Sequence, residues 1–216
     1  GDDDEAVAAL ARAAELTPAD GLILEELARR HEARGEDREL SRVLARRAEL
    51  LELPRERLGL LHRLGTLHER LDDPDGAIHW YARALDIDAA YVPALRALGK
   101  LYAARDRHDE LVRMHLGAAA AFPDQARKAD AHARAAEIFE VHLQRREEAI
   151  EHYARALSLM PELDDAFKAL VRLYTASGQH RALIDLYERA YDRAPQPDQK
   201  ITYLYKIAAL QEDALA

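Results

Sequence analysis

The stretch Ala77–Leu85, "AIHWYARAL", returns 72 residues later as Ala149–Leu157, "AIEHYARAL". Its surroundings return in step: Leu95 meets Phe167, Leu98 meets Leu170, Leu101 meets Leu173, Tyr102 meets Tyr174, His108 meets His180, Leu111 meets Leu183 and Pro123 meets Pro195. A register kept over so many positions is an internal repeat. Repeats of this size mark arrays of supersecondary units, each too small to bury its own apolar face, which build a common core by stacking on their neighbours.

Composition makes the unit helical. Hydrophobic residues are 49% of the chain, with Ala prominent among them, while 9 Gly and 8 Pro in 216 residues suit long helices joined by short turns. No apolar run approaches the roughly 20 residues that cross a bilayer. The opening "GDDDEAVAAL" has neither the basic segment nor the apolar stretch of a secretion signal. The absence of Cys leaves no disulfide framework and no thiolate metal site, and fits the cytoplasm, the compartment expected here. A formal charge of −9 opposes general attraction to nucleic acid, whose phosphates are held by Lys and Arg.

Helical periodicity broken by turn signals predicts twelve helices, near 4–16, 19–34, 36–51, 55–72, 74–87, 91–105, 107–121, 125–144, 146–159, 163–177, 179–193 and 198–214. Gly35, Asp106 and Gly178 fall at equivalent places inside three helix pairs, where a reversal needs a residue tolerant of positive φ or able to bond the backbone. Pro18, Pro123, Pro161 and Pro195 close second helices, and Asp73 is an N-cap before Pro74 at the first helical position. Small residues at Gly65, Gly99, Ala77, Ala84, Ala118, Ala149, Ala156 and Ala190 let helices approach; Leu64, Leu98, Leu170, Tyr81, Tyr153 and Tyr187 fill the space between them.

Across 92–123 these positions read Leu95, Leu98, Gly99, Tyr102, Ala118 and Pro123; across 58–89, Leu61, Leu64, Gly65, Ala77, Tyr81 and Ala84; across 164–195, Phe167, Leu170, Tyr174, Tyr187, Ala190 and Pro195. The pattern resembles the tetratricopeptide repeat family, helix-turn-helix units of about 34 residues. Leu111 and His115 depart from it, and alternate units run nearer 38 residues, lengthening the first helices at 55–72, 125–144 and 198–214. The resemblance implies an all-α, right-handed solenoid of stacked antiparallel helix pairs. It would span 1–216 as one domain, with pairs near 19–54, 55–89, 90–123, 124–161 and 162–195 and half pairs at 1–18 and 196–216.

In that family the first helices line a concave surface, and residues two before and two after the buried Leu-type position lie about 160° from it around the helix. This selects His62, Arg96, Arg134, Lys168 and Lys206 on one side and Thr66, Lys100 and Arg172 on the other, a basic stripe in an acidic chain. The expectation is a non-catalytic protein-interaction scaffold whose groove takes an acidic peptide or a C-terminal carboxylate, Arg as a fork and Lys as a point charge. The bland reading is a solvated charged face, with Glu69 and Asp165 as neutralising neighbours. Chaperone-adaptor members of the family clamp a terminal carboxylate with Lys and Asn, and this chain has no Asn.

Other classes find less in the sequence. Ten His residues include no pair three or four apart on one helix, so no metal or other cofactor is expected. There is no Gly-rich phosphate loop or nucleophile elbow, and no catalytic residue is assigned. Polyanion or RNA binding along the stripe is a minor alternative, opposed by net charge and by the lack of interleaved stacking aromatics. The alternatives kept are a regulatory or sensory module of a larger protein and end-to-end self-association. "GDDDEAVAALARAAELTP" reads as a second helix without its first, and the final helix, with Ile201, Leu204, Ile207 and Leu210, lacks a mate. On this reading the chain is a segment of a longer repeat protein, with Gly1 an added residue.

Overall fold

The computed structural model describes residues 2–213, so Gly1 and the last residue expected in the 198–214 helix lie outside the described residues. Among the described residues there are twelve α-helices and no strand: α1 Asp2–Leu16, α2 Gly21–Ala33, α3 Asp37–Leu50, α4 Pro54–Arg70, α5 Pro74–Ile87, α6 Val92–Ala104, α7 His108–Ala121, α8 Gln125–Val141, α9 Arg146–Leu159, α10 Asp164–Ala176, α11 His180–Arg193 and α12 Pro197–Asp213. They group into two compact units, 1–121 (α1–α7) and 122–216 (α8–α12). Within each unit every helix packs on its neighbours in the chain, giving the stacked helix pairs of an all-α solenoid fold.

The reversal inside each pair follows one rule. The residue at the bend has positive φ in all five: Gly35 (66°), Asp72 (54°), Asp106 (54°), Gln144 (55°) and Gly178 (65°). In four of them the next amide donates to a carbonyl five residues back: Glu36 to His31, Asp73 to His68, Arg107 to Tyr102 and Gln179 to Tyr174, all at 2.9 Å. This is the Schellman closure, which satisfies carbonyls left over at a helix end. The fifth turn is one residue longer, Arg145 N donating to Phe139 O at 2.8 Å. That added residue is why the helix expected at 125–144 stops at Val141.

Side chains clip the same turns. His31 Nδ1 lies 2.6 Å from Glu36 Oε2 and His68 Nδ1 lies 2.7 Å from Asp73 Oδ2. At the equivalent places Arg107 sits over the Tyr102 ring at 5.1 Å and Arg145 over Phe139 at 4.9 Å. An ion-type contact and a cation–π contact thus serve one geometric purpose.

The small-residue rule holds at one glycine and not at its equivalent. A Cβ on Gly65 would stand 2.4 Å from Tyr81 Cε1, so the close crossing of α4 and α5 depends on hydrogen at that position. A Cβ on Gly99 would meet Met114 Cε at 3.5 Å, an ordinary contact. The reason is in the facing helix: 34 residues after Tyr81 stands His115, a smaller ring, so nothing presses on Gly99. Ala77, Ala84, Ala149 and Ala156 are fully buried, as close crossings require.

Candidate functional site

Leu64, Leu98, Ala136 and Leu170 point into the core at 2% exposure or less, which turns the residues two positions away outward. Seven of the eight groove candidates are accordingly exposed: Thr66 on α4, Arg96 and Lys100 on α6, Arg134 on α8, Lys168 and Arg172 on α10, and Lys206 on α12. His62 is half-buried, its ring 5.4 Å from Tyr81 and 5.9 Å from Tyr91. Burial pushes its pKa below the ordinary value, with Glu69 opposing, so at neutral pH it packs as a neutral ring. The Thr66 hydroxyl donates to the His62 carbonyl at 3.2 Å and lies 3.2 Å from the Tyr81 hydroxyl.

In the first unit Arg96 and Lys100 stand one turn apart on α6, and neither enters an ion pair among the described residues. In the second unit Arg134, Lys168 and Arg172 line one open groove of ≈ 690 Å³ between α8, α9 and α10, over a floor that includes Tyr153, Leu163, Ala166 and Ala169. Asp130, Glu137 and Asp165 line it too, so its wall alternates in sign where the stripe alone suggested a basic surface. Arg134 Nε donates to Asp130 Oδ2 at 2.8 Å. Arg172 grips Glu140 through both terminal nitrogens, the Nη2 to Oε2 bond being 3.1 Å. The Tyr153 hydroxyl donates to the same carboxylate at 3.3 Å, and burial together with Glu140 raises its pKa. Lys168 has no ion-pair partner among the described residues.

The donors left over define what this groove can do. A guanidinium carries five N–H bonds. Arg134 commits its Nε and keeps both terminal amino groups, Arg172 keeps its Nε, and Lys168 keeps its full ammonium. Lys206 is used differently, its Nζ lying 5.1 Å from the Tyr187 ring centre. A smaller opening of ≈ 390 Å³ is lined by Leu157, Pro161, Leu170, Tyr174, Leu186 and Arg189, mostly from second helices. The sequence pattern did not mark it.

Two His clusters went unmarked as well. Ser41 Oγ lies 2.8 Å from His68 Nε2, and His68 Nδ1 contacts Asp73, which resembles a Ser-His-Asp chain. Ser41 is only 7% exposed and Asp73 is committed through Oδ1 to the Gly76 amide as the N-cap of α5, so the chain works as a structural relay between α3, α4 and α5. His132 and His152 stack at 5.3 Å, and Phe139 extends the column at 5.5 Å. Both imidazoles have a buried Nδ1 without a hydrogen-bond partner, and burial lowers both pKa values. No group of three or more His, Asp or Glu side chains suited to a metal ion occurs among the described residues.

Sequence models described as tetratricopeptide repeat match residues 58–91 and 166–201. No curated protein matches the chain. Among solved structures, it is similar to MamA, with 17% identity over 80% of this chain and 90% of that chain at a TM-score of 0.44. It is also similar to YrrB, described as a TPR protein with an unusual peptide-binding site, with 20% identity over 78% and 83% of the two chains at a TM-score of 0.40. BtubC from P. vanneervenii shows 19% identity over 91% and 92% at a TM-score of 0.43. None of the described helices is long and apolar enough to cross a membrane.

Proposed function

For this chain, which belongs to the tetratricopeptide repeat family, we propose a non-catalytic protein-interaction module that holds an extended partner segment in the groove between α8, α9 and α10. The supporting observation is the convergence of Arg134, Lys168 and Arg172 on one opening with donors to spare. The partner's acidic side chains or terminal carboxylate bond the free amino groups of Arg134 and the Lys168 ammonium, while its apolar side chains rest on Leu163, Ala166 and Ala169. Asp165 and Glu137 repel a uniformly acidic chain, so the best ligand carries carboxylates at spaced positions rather than in a block. Arg96 and Lys100 offer a comparable unpaired cationic edge in the first unit. The sequence reading of 1–216 as one repeat domain is kept as part of this proposal.

The test is a titration with peptides of one composition in which spaced acidic residues are kept, clustered or replaced by amides. The spaced acidic peptide should bind more tightly than the amide peptide. The Arg134→Glu, Lys168→Glu, Arg172→Glu triple variant should lose at least about tenfold, a loss of 1.4 kcal/mol or more. Equal binding by wild type and variant would remove this groove as the site.

A further inference from the structure

A second opening, of ≈ 390 Å³, lies among α9, α10 and α11 and shares no lining residue with the Arg134–Lys168–Arg172 groove. Its walls are two helix faces. Ala154, Leu157 and Ser158 stand on α9 and Ala182, Leu186 and Arg189 on α11, each set at helical spacing. Ala154, Ser158 and Ala182 are too small to close the gap, and Leu157, Leu170 and Leu186, none more than 8% exposed, form its apolar floor.

One rim is charged. Asp185, Arg189 and Arg193 follow one another along α11, one helical turn apart, and all three are exposed. Asp185 and Arg189 have the spacing at which helix pairs join, yet none of the three side chains enters an ion pair or hydrogen bond among the described residues. Asp185 and Arg189 act instead on the Tyr174 phenol of the same opening: burial raises its pKa, with Arg189 opposing and Asp185 adding.

The repeat fold does not require this arrangement. Seventy-two residues earlier α7 has Arg113, Gly117 and Ala121 where α11 has Asp185, Arg189 and Arg193, and Glu110 where it has Ala182. A Cβ on Gly117 would meet nothing within 4 Å, so the place that Arg189 fills is no packing position. The last turn of α7 carries no basic residue, so closing the helix does not call for Arg193 either. Glu110 is held by Arg107 at 2.9 Å, whereas Ala182 leaves a notch.

We propose that this opening docks an amphipathic helix of a partner protein, laid antiparallel to α11, with Glu at i and i+4 on Arg193 and Arg189, Lys at i+8 on Asp185, and Leu-sized side chains at i+3 and i+7 in the notch. Charge complementarity selects this occupant. A ligand with one acidic head answers the Arg pair and leaves Asp185 without a partner, whereas a helix presents charges at the same four-residue interval as α11. Antiparallel docking puts the partner's Glu residues toward its N-terminus and its Lys toward its C-terminus, where the helix dipole favours each. The apolar residues fall on the same face as the charges, the pattern by which a helix seats in a groove. This docking uses no residue of the Arg134–Lys168–Arg172 groove.

The probe is a labelled synthetic helix, Ala- and Gln-rich, bearing Glu, Leu, Glu, Leu and Lys at i, i+3, i+4, i+7 and i+8, titrated by fluorescence anisotropy. Wild type should bind it. Arg189→Glu with Arg193→Glu, both at exposed helix positions, should weaken binding at least about tenfold. A probe whose two Glu are replaced by Lys should reverse the order and prefer that double variant to wild type, which a merely misfolded variant would not do. Ser158→Phe, at an exposed position on the wall, should fill the notch and weaken the first probe by a similar factor. The Arg134→Glu, Lys168→Glu, Arg172→Glu variant should bind it as wild type does, which separates this site from the groove. Failure of wild type to bind, or equal binding by wild type and the Arg189, Arg193 double variant, would overturn the proposal. So would binding of decanoate at this opening with none of the helical probe, which would assign it to a small amphiphile.

Discussion

Gly65→Ala is the substitution whose outcome follows most directly from the packing. The new Cβ would lie 2.4 Å from Tyr81 Cε1 and 2.6 Å from Cδ1 and Cζ, and Tyr81 is 1% exposed, so the ring has nowhere to rotate. Overpacking of this kind costs about 1–3 kcal/mol, and a rigid ring met at three atoms belongs at the upper end. Replacing a mid-helix Gly by Ala returns about 1 kcal/mol of helix propensity. The net expectation is a destabilisation of about 1–2 kcal/mol. Gly99→Ala has the same propensity gain and meets only Met114 and Leu111 at 3.5 and 3.8 Å, so it should stabilise by up to about 1 kcal/mol. The single Trp, Trp80, neighbours Tyr81 on α5, so its fluorescence during urea unfolding reports this helix pair. Tyr81→His, which copies the residue facing Gly99, should relieve most of the Gly65→Ala penalty in a double-mutant cycle. Shifts of the same sign for Gly65→Ala and Gly99→Ala, or additive effects of Gly65→Ala and Tyr81→His, would refute the close-crossing argument.

Stability should fall on mild acidification. His132 and His152 have pKa values lowered by burial from 6.5, so the unfolded chain takes up protons near pH 6.5 that the folded column still refuses, and stability is lost as pH drops through that window. Tm at pH 5.5 should lie below Tm at pH 7.5, and His152→Phe, stacked between His132 and Phe139, should shrink the difference; an unchanged difference refutes the assignment. Gln144→Gly should stabilise by about 0.5–1 kcal/mol because φ there is 55°, which disfavours a Cβ. A lower denaturation midpoint for that variant would contradict the turn geometry.

The twelve helices were legible because Leu and Ala recur with helical spacing and Gly or Pro closes the segments. Gly35 and Gly178 also announced their bends. Asp106 did too, being of a type that tolerates positive φ, and Asp72 stands directly before the Asp73 N-cap; Gln144 did not, since its φ of 55° accompanies the longer closure of Arg145 N on Phe139 O and follows no residue preference. Gly99 looked like Gly65 in sequence, and only the smaller ring of His115 on the facing helix separates them. At the groove, helical arithmetic found the cations but not their partners. Asp130 lies four residues before Arg134 and could have been read from spacing, whereas Glu140 reaches Arg172 across two helices, a pairing that only the packed structure supplies.

Amide chemical shifts of the chain during addition of the spaced acidic peptide test the central claim most directly. The account predicts that perturbations concentrate at Ala133–Glu137 on α8 and Asp165–Arg172 on α10, and that they fade as salt screens the contacts. Perturbations centred instead on the opening around Leu157, Tyr174 and Arg189, or none at saturating peptide, would contradict it.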